Sequence, residues 1–176
     1  MDRIWAPWRM AYVGGPPSEG CVFCQAVEDP DSFGVLTRGV QGFVMLNAYP
    51  YNSGHLLVVP YSHVPSIVNL GTEELCGLMQ LVQASMEAME RCLRPQGFNL
   101  GANIGSVAGA GIAEHVHLHV VPRWQGDTNF MSVVADTRVV PEALQACAER
   151  LKPVLTEVCE ELGLTMTTKE DAHSHE

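Results

Sequence analysis

Three histidines, His115, His117 and His119, alternate with Val116, Leu118 and Val120 in a run that ends at Pro122. A neutral imidazole near pH 7 is at once a nucleophile, a proton carrier and a metal ligand, so three at this spacing form a candidate reaction centre. Successive side chains of a β-strand point to opposite faces. The spacing therefore predicts a strand with all three rings on one face, about 6–7 Å apart along the backbone, and the aliphatic residues packed behind. A face so rich in titratable rings fits an anionic or metallic partner better than an ordinary solvent-facing strand. Directly upstream, Gly105, Gly109 and Gly111 fall in one short loop. Glycines let backbone N–H groups close on an anion, as a phosphate cradle requires. The GxxxxGK pattern is absent, which argues against a P-loop NTPase.

Other elements must carry this run. Residues 35–38 and 42–47 read as a hairpin punctuated by Gly39 and Gly42. Tyr49 to Gly54 read as a loop, and His55 to Val59 as a buried strand that Pro60 ends. Thr72 is expected to cap a helix, with Glu73 and Glu74 in its first turn. Leu75, Leu78, Met79, Val82, Met86, Met89 and Leu93 keep helical spacing as its core-facing stripe, up to Arg94-Pro95. Phe98 to Ile104 read as a strand leading into the glycine loop. Pro141 suits the first position of a C-terminal helix carrying Leu144, Leu151, Leu155, Val158 and Leu162, which Pro153 should kink or divide. Strands, a long helix, more strands and a late helix indicate the α+β class with a mostly antiparallel sheet. The first fifteen residues, ending in Gly14-Gly15 before Pro16-Pro17, read as an arm laid over a surface. The tail from Thr165, with His173 and His175, is expected to be disordered.

With 176 residues, 47% hydrophobic and 17% charged, the chain has the balance of one globular domain with short appendages. A net charge of −10 without a Lys/Arg cluster argues against a nucleic-acid polymer as partner. It leaves room for a small phosphate ligand held by amides and imidazoles. No apolar run approaches the roughly 20 residues of a membrane span. The N-terminal MDRIWAPWRM, interrupted by Pro7 and two arginines, lacks a signal-peptide core. A cytoplasmic protein without a membrane partner is expected. Cys76, Cys92, Cys147 and Cys159 fall on expected helices and read as small apolar residues or partly exposed thiols. Cys21-Val-Phe-Cys24 is different. A CxxC leaves open a zinc site, a redox pair or two plain thiols, and the βαβ context of a thioredoxin-like pair does not follow it.

On the residues His115-Val-His117-Leu-His119-Val-Val-Pro122, the chain resembles the histidine triad (HIT) family of nucleotidyl hydrolases and transferases. Asn47, eight residues before His55 in NAYPYNSGHLLVVPYSHV, and Asn103 in GANIGSVAGAGIAEH extend the match. WAPWRMAY and VPRWQGDTNFM further resemble the bacterial branch related to diadenosine tetraphosphate phosphorylases and ATP adenylyltransferases. The resemblance implies an HIT-like fold with an N-terminal arm over 1–20 and the domain core with a zinc knuckle over 21–125. A C-terminal extension and helix would span 126–164, and a tail 165–176.

It also implies a small nucleotide substrate and covalent catalysis in two steps. His117 would attack the α-phosphorus, and water or inorganic phosphate would then remove the nucleotidyl group. His119 and His55 would hydrogen-bond phosphoryl oxygens or assist the leaving group. Asn103 and the amides near Gly109 and Gly111 would hold developing charge. Asn47 would bind the ribose, and Phe23 and Met45 would line the purine site. Cys21, Cys24, His63 and His115 would hold a structural zinc, so that His115 is structural; no catalytic metal is required of the protein. A homodimer is implied, with Trp5, Trp8 and Trp124 as candidates for its contact or for packing within one chain. Family members commonly place a serine or glutamine just before the triad, where this chain has Gly111-Ile112-Ala113. One side-chain contact to phosphate or leaving group is therefore expected to be missing.

Two rival readings use the same residues. A metal-dependent hydrolase would ligate its ion with the triad, although the outer rings of an extended strand lie about 13 Å apart at the backbone. A non-catalytic nucleotide-binding module would bind without turnover. Within the first reading, spacing leaves open phosphorolysis against hydrolysis, and dinucleoside polyphosphates against nucleoside phosphoramidates. The branch resemblance favours tetraphosphates.

Overall fold

A computed structural model describes residues 20–127 and 143–164. Its elements are helix α1 (Val22–Glu28), strands β1 (Val35–Arg38), β2 (Gly42–Leu46) and β3 (Leu56–Pro60), helix α2 (Thr72–Leu93), strands β4 (Gly97–Gly101) and β5 (Leu118–Arg123), and helix α3 (Leu144–Glu161). The strands form one sheet in the order β1-β2-β3-β5-β4, antiparallel at each step. This is the α+β layout that the alternation of elements predicts.

Period-two alternation sorts the strand residues onto two faces. Val44, Leu46, Leu56, Val58 and Val120 join Leu78, Leu81, Val82 and Met89 of α2 and Leu151, Leu155 and Val158 of α3 in one buried cluster. Phe43, Met45, Leu57 and Val59 lie on the opposite face, in a second cluster with Phe23 and Ala26 of α1. Leu57 pairs with His119 across β3 and β5, so this second face is the one that carries the triad.

Several expectations change in detail. Gly71, not Thr72, is the N-cap of α2, because the Glu74 carboxylate accepts the Gly71 N–H at 2.8 Å and the Ser62 hydroxyl as well. The buried arc of α2 runs through Leu78, Leu81, Val82, Ser85 and Met89. Leu75 and Met79, expected inside, are 37% and 49% exposed, since α3 and the sheet cover only the neighbouring arc. Pro153 does not divide the C-terminal helix, which is one element from Leu144 to Glu161. An interior proline costs about 3 kcal/mol. Burial of Leu151, Leu155 and Val158 on α3, at about 1.5–3 kcal/mol each, outweighs it.

The triad strand is also shorter than the alternation predicts, starting at Leu118. The register pairs Val58 with Leu118 and Leu56 with Val120, which would set Val116 opposite Pro60. Proline has no N–H to extend the ladder. Val116 instead donates its N–H to the Val64 carbonyl at 2.7 Å, and the Pro60 carbonyl accepts from the His115 ring at 3.0 Å. His115 and His117 thus precede the strand, while their rings stay on the Phe23 side together with that of His119. The N-terminal arm with Trp5 and Trp8, Pro141, and the tail with His173 and His175 lie outside the described residues. No described helix is long and apolar enough to cross a membrane.

Candidate active site

His55 sits just before β3, held by the turn in which its N–H donates to the Asn52 carbonyl at 3.1 Å. Its Nδ1 receives the Tyr51 backbone N–H at 2.9 Å. A backbone N–H can only donate, so His55 Nδ1 carries no hydrogen and the ring proton is on Nε2. That Nε2 lies 2.9 Å from His119 Nδ1, which must then accept, leaving the His119 proton on Nε2. His119 Nε2 is buried and has no hydrogen-bond partner among the described residues. One backbone amide thereby sets the polarity of two rings and leaves a donor that meets no acceptor among the described residues.

The neighbouring imidazole has the opposite arrangement. His117 Nδ1 lies 3.0 Å from the His115 carbonyl, which can only accept. Its lone pair is therefore on Nε2. The His117 and His119 rings meet at 4.9 Å between centroids. Burial lowers both pKa values, His119 to about 4, so both rings are neutral at pH 7. The pair combines a neutral nucleophilic nitrogen with an unsatisfied N–H donor. This is the equipment for forming a bond to an electrophilic phosphorus while stabilising an oxygen that leaves.

The depressed pKa values carry a prediction for stability. On unfolding the rings return toward 6.5, so the unfolded chain binds more protons between about pH 4 and 6.5. Stability from these rings is complete above that window and is lost as pH falls through it. Urea midpoints taken from about pH 7 down to about pH 5 should decrease; a constant or rising midpoint contradicts the buried neutral rings.

Phe23 of α1 packs its ring 4.8 Å from His117 and 5.3 Å from His115. With buried Met45 and Leu57 it forms an apolar wall beside the imidazoles. The Asn47 amide is drawn into the same loop. Its Oδ1 accepts the Tyr49 N–H at 2.9 Å, and its Nδ2 lies 3.3 Å from His55 Nδ1. Asn103 Nδ2 reaches the Gly109 carbonyl at 3.5 Å within the glycine loop. There a single turn, Ser106–Ala108, is bracketed by Gly105 and Gly109, both with positive φ (82° and 87°), a region that disfavours side chains. Gly111 is exposed and precedes Ile112, which packs on the second cluster. His117, His119, His55, Asn47, Phe23 and Met45 are thus brought together, whereas Asn103 and Gly109 are joined to each other.

Two groups escaped the sequence reading. Tyr51 lays its ring 4.6 Å from His55 and stacks on His119 at 5.6 Å and 17°. Asn52 ties the same loop to Pro122 and Asp127. Their one signal was position, within the turn just ahead of His55.

Cys21, Cys24, His63 and His115 form the second cluster of chemistry, with ligand atoms within 4.8 Å of one another. Among the described residues no other group of three or more potential metal ligands is found, so the triad imidazoles do not themselves converge as a ligand set. Cys21 Sγ is 3.4 Å from His115 Nδ1, and Cys24 Sγ is 3.3 Å from His63 Nδ1. A tetrahedral zinc with sulfur and nitrogen ligands needs S···N edges of about 3.5 Å. Because His115 Nε2–H donates to the Pro60 carbonyl, its Nδ1 lone pair faces the two sulfurs, as a metal ligand requires. Burial, with Cys21 beside it, pushes the Cys24 thiol up to about 11, so the site lacks the positive charge that paired thiolates need. The donor set, its tautomer and its spacing fit zinc.

Comparison with known proteins finds a match to the HIT domain family over residues 35–126. The chain is 39% identical over 155 residues to a Mycobacterium tuberculosis protein named AP-4-A phosphorylase, covering 82% of this chain and 80% of that one. It is 33% identical over 93 residues to the asymmetrical bis(5'-nucleosyl)-tetraphosphatase of Schizosaccharomyces pombe, covering 53% of this chain and 50% of that one. Among solved structures, a Zn-bound histidine triad family protein from Mycobacterium smegmatis superposes with a TM-score of 0.66 at 26% identity, covering 81% of this chain and 97% of that one.

Proposed function

The chain belongs to the HIT domain family, and from that premise we propose that it is an enzyme cleaving dinucleoside polyphosphates of the diadenosine tetraphosphate kind through a nucleotidyl group carried on His117. One observation carries the reading: the ring of His117, whose Nε2 is unprotonated, lies 4.9 Å from the ring of His119, whose buried Nε2–H has no partner among the described residues. His117 Nε2 forms a bond to the α-phosphorus while the bond from that phosphorus to the bridging oxygen breaks. The electron pair stays on the departing oxygen, which the His119 N–H stabilises. In the second step an oxygen of phosphate or water bonds to phosphorus, and His117 leaves with the electron pair of its P–N bond. Phe23 and Met45 would wall the purine, Asn47 would meet the ribose, and Asn103 with the amides at Gly109 and Gly111 would receive phosphoryl oxygens.

The mycobacterial relative favours inorganic phosphate as acceptor. Incubation of the protein with diadenosine tetraphosphate is expected to give ADP and ATP when phosphate is present. AMP and ATP at an unchanged rate without phosphate would instead make it a hydrolase, and faster turnover of adenosine phosphoramidate would shift the substrate class.

Cys21, Cys24, His63 and His115 would hold a structural zinc, which would cross-link α1 to the His63 loop and to the first histidine of the triad. A homodimer is supported by a groove that exposed Met79 of α2 shares with exposed Leu100 of β4, the edge strand of the sheet, an apolar face that a second copy would cover. The same preparation should sediment as two chains; a monomer would remove this part. None of the six cysteines is in a disulfide, which supports a reducing, cytoplasmic setting.

A further inference from the structure

Asp127 lies just past residue 126, where the family match ends, yet its carboxylate is gripped from two directions. Arg123 Nε and Nη2 donate to Oδ2 and Oδ1 at 2.5 and 2.7 Å, and the Trp124 N–H donates to Oδ2 at 3.1 Å. Asn52 Nδ2 donates to Oδ2 at 2.9 Å. The side chain of Asp127 is only 9% exposed, and the Arg123 guanidinium holds its carboxyl down at about 2, so the group is ionised at any working pH.

Asn52 links two short stretches of chain. Its amide nitrogen spans Asp127 and the Pro122 carbonyl, the latter at 3.2 Å, so both of its hydrogens are used. Pro122 is on β5, the strand that carries His119, and Asn52 directly follows Tyr51, whose N–H is on His55 Nδ1.

On the footing of the proposed function, we infer that Asp127 is a positioning residue: through Asn52 it holds the loop before His55 so that the Tyr51 amide selects the tautomers of His55 and His119. The alternative shows why this matters. If the Tyr51 N–H withdraws, the Asn47 amide nitrogen remains, but at 3.3 Å from Nδ1 and 3.5 Å from Nε2 it favours neither; His55 can then carry its proton on Nδ1, and its Nε2 accepts from His119 Nδ1–H. His119 would present a bare lone pair from Nε2 toward a phosphate oxygen, turning a stabilising donor into a repulsive contact. The two tautomer pairs differ only in which ends carry hydrogen, so the ring–ring bond alone does not choose between them. The backbone amide does, and its place depends on the clamp.

The test uses full-length protein with ¹⁵N-labelled histidine. In the wild type, ring ¹⁵N spectra should show His55 and His119 both protonated at Nε2. Asp127→Ala and Asn52→Ala should each give mixed tautomers at these rings and lower kcat on diadenosine tetraphosphate about 10- to 100-fold with KM little changed, the scale of a misplaced catalytic group. Asp127→Asn, which can still accept from Asn52 and the Trp124 amide, should lie nearer the wild type in both readouts. Asn52→Ala keeps the Arg123–Asp127 pair and serves if Asp127→Ala does not fold. A folded Asp127→Ala or Asn52→Ala that keeps pure Nε2–H tautomers, or that mixes tautomers with unchanged kcat, overturns the inference. If the wild type turns over no nucleotide, the proposed function falls, while the spectra alone still decide the clamp.

Discussion

Replacement of His117 by asparagine is expected to reduce kcat on a dinucleoside polyphosphate at least about 10³-fold, in line with the loss of nucleophiles elsewhere. Asparagine is chosen because its amide N–H can keep the bond to the His115 carbonyl that the imidazole Nδ1–H makes. The replacement therefore removes the nucleophilic nitrogen with little change in packing against Phe23. Nucleotide binding should persist, since the apolar wall and the glycine loop are untouched. The same variant separates the covalent route from direct attack by water. Substrate labelled in the α-phosphate should leave an acid-labile label on the wild-type chain and none on His117→Asn. Undiminished turnover in the variant would remove His117 from the chemistry, and nucleotide binding without turnover in the wild type would make the protein a binding module.

Removal of metal from the Cys21–Cys24–His63–His115 cluster is expected to have the second large effect. Purified protein should contain about one zinc per chain, and Cys24→Ala should lose it. The thermal midpoint of that variant should fall by about 10 °C, the equivalent of a few kcal/mol in a chain of this size. The loss should be smaller than the complete unfolding of a zinc finger, because the helix-facing cluster of the sheet folds on its own apolar burial. Turnover should also drop. His115 would supply a ligand nitrogen and supplies the carbonyl that orients His117, and Phe23, between the two cysteines, rests on both rings. Wild-type protein without zinc, or a Cys24→Ala midpoint equal to that of the wild type, would end the metal assignment.

How legible the site is depends on the kind of information each residue carries. The alternating histidines, Asn47 before His55 and the CxxC are local or ordered patterns, and they suffice to name the candidate residues that the fold gathers at the site. The hairpin and the long helix follow from period and punctuation, so their bounds come out within a residue or two of the structure. Leu75 and Met79 were misread because helical spacing defines an apolar stripe without saying how much of it a partner covers. Pro153 does not divide its helix, because burial that local propensity omits outweighs its cost.

From the sequence alone come the strands, the two long helices and the class of chemistry, since each is written in neighbouring residues; the short helix Val22–Glu28 does not. Only the tertiary structure decides what each imidazole does. Proton placement on His55, His117, His119 and His115 is set by a Tyr51 amide, a His115 carbonyl, a neighbouring ring and a Pro60 carbonyl. An imidazole has two nitrogens of equal standing, and its role is fixed by whichever backbone group meets it in space.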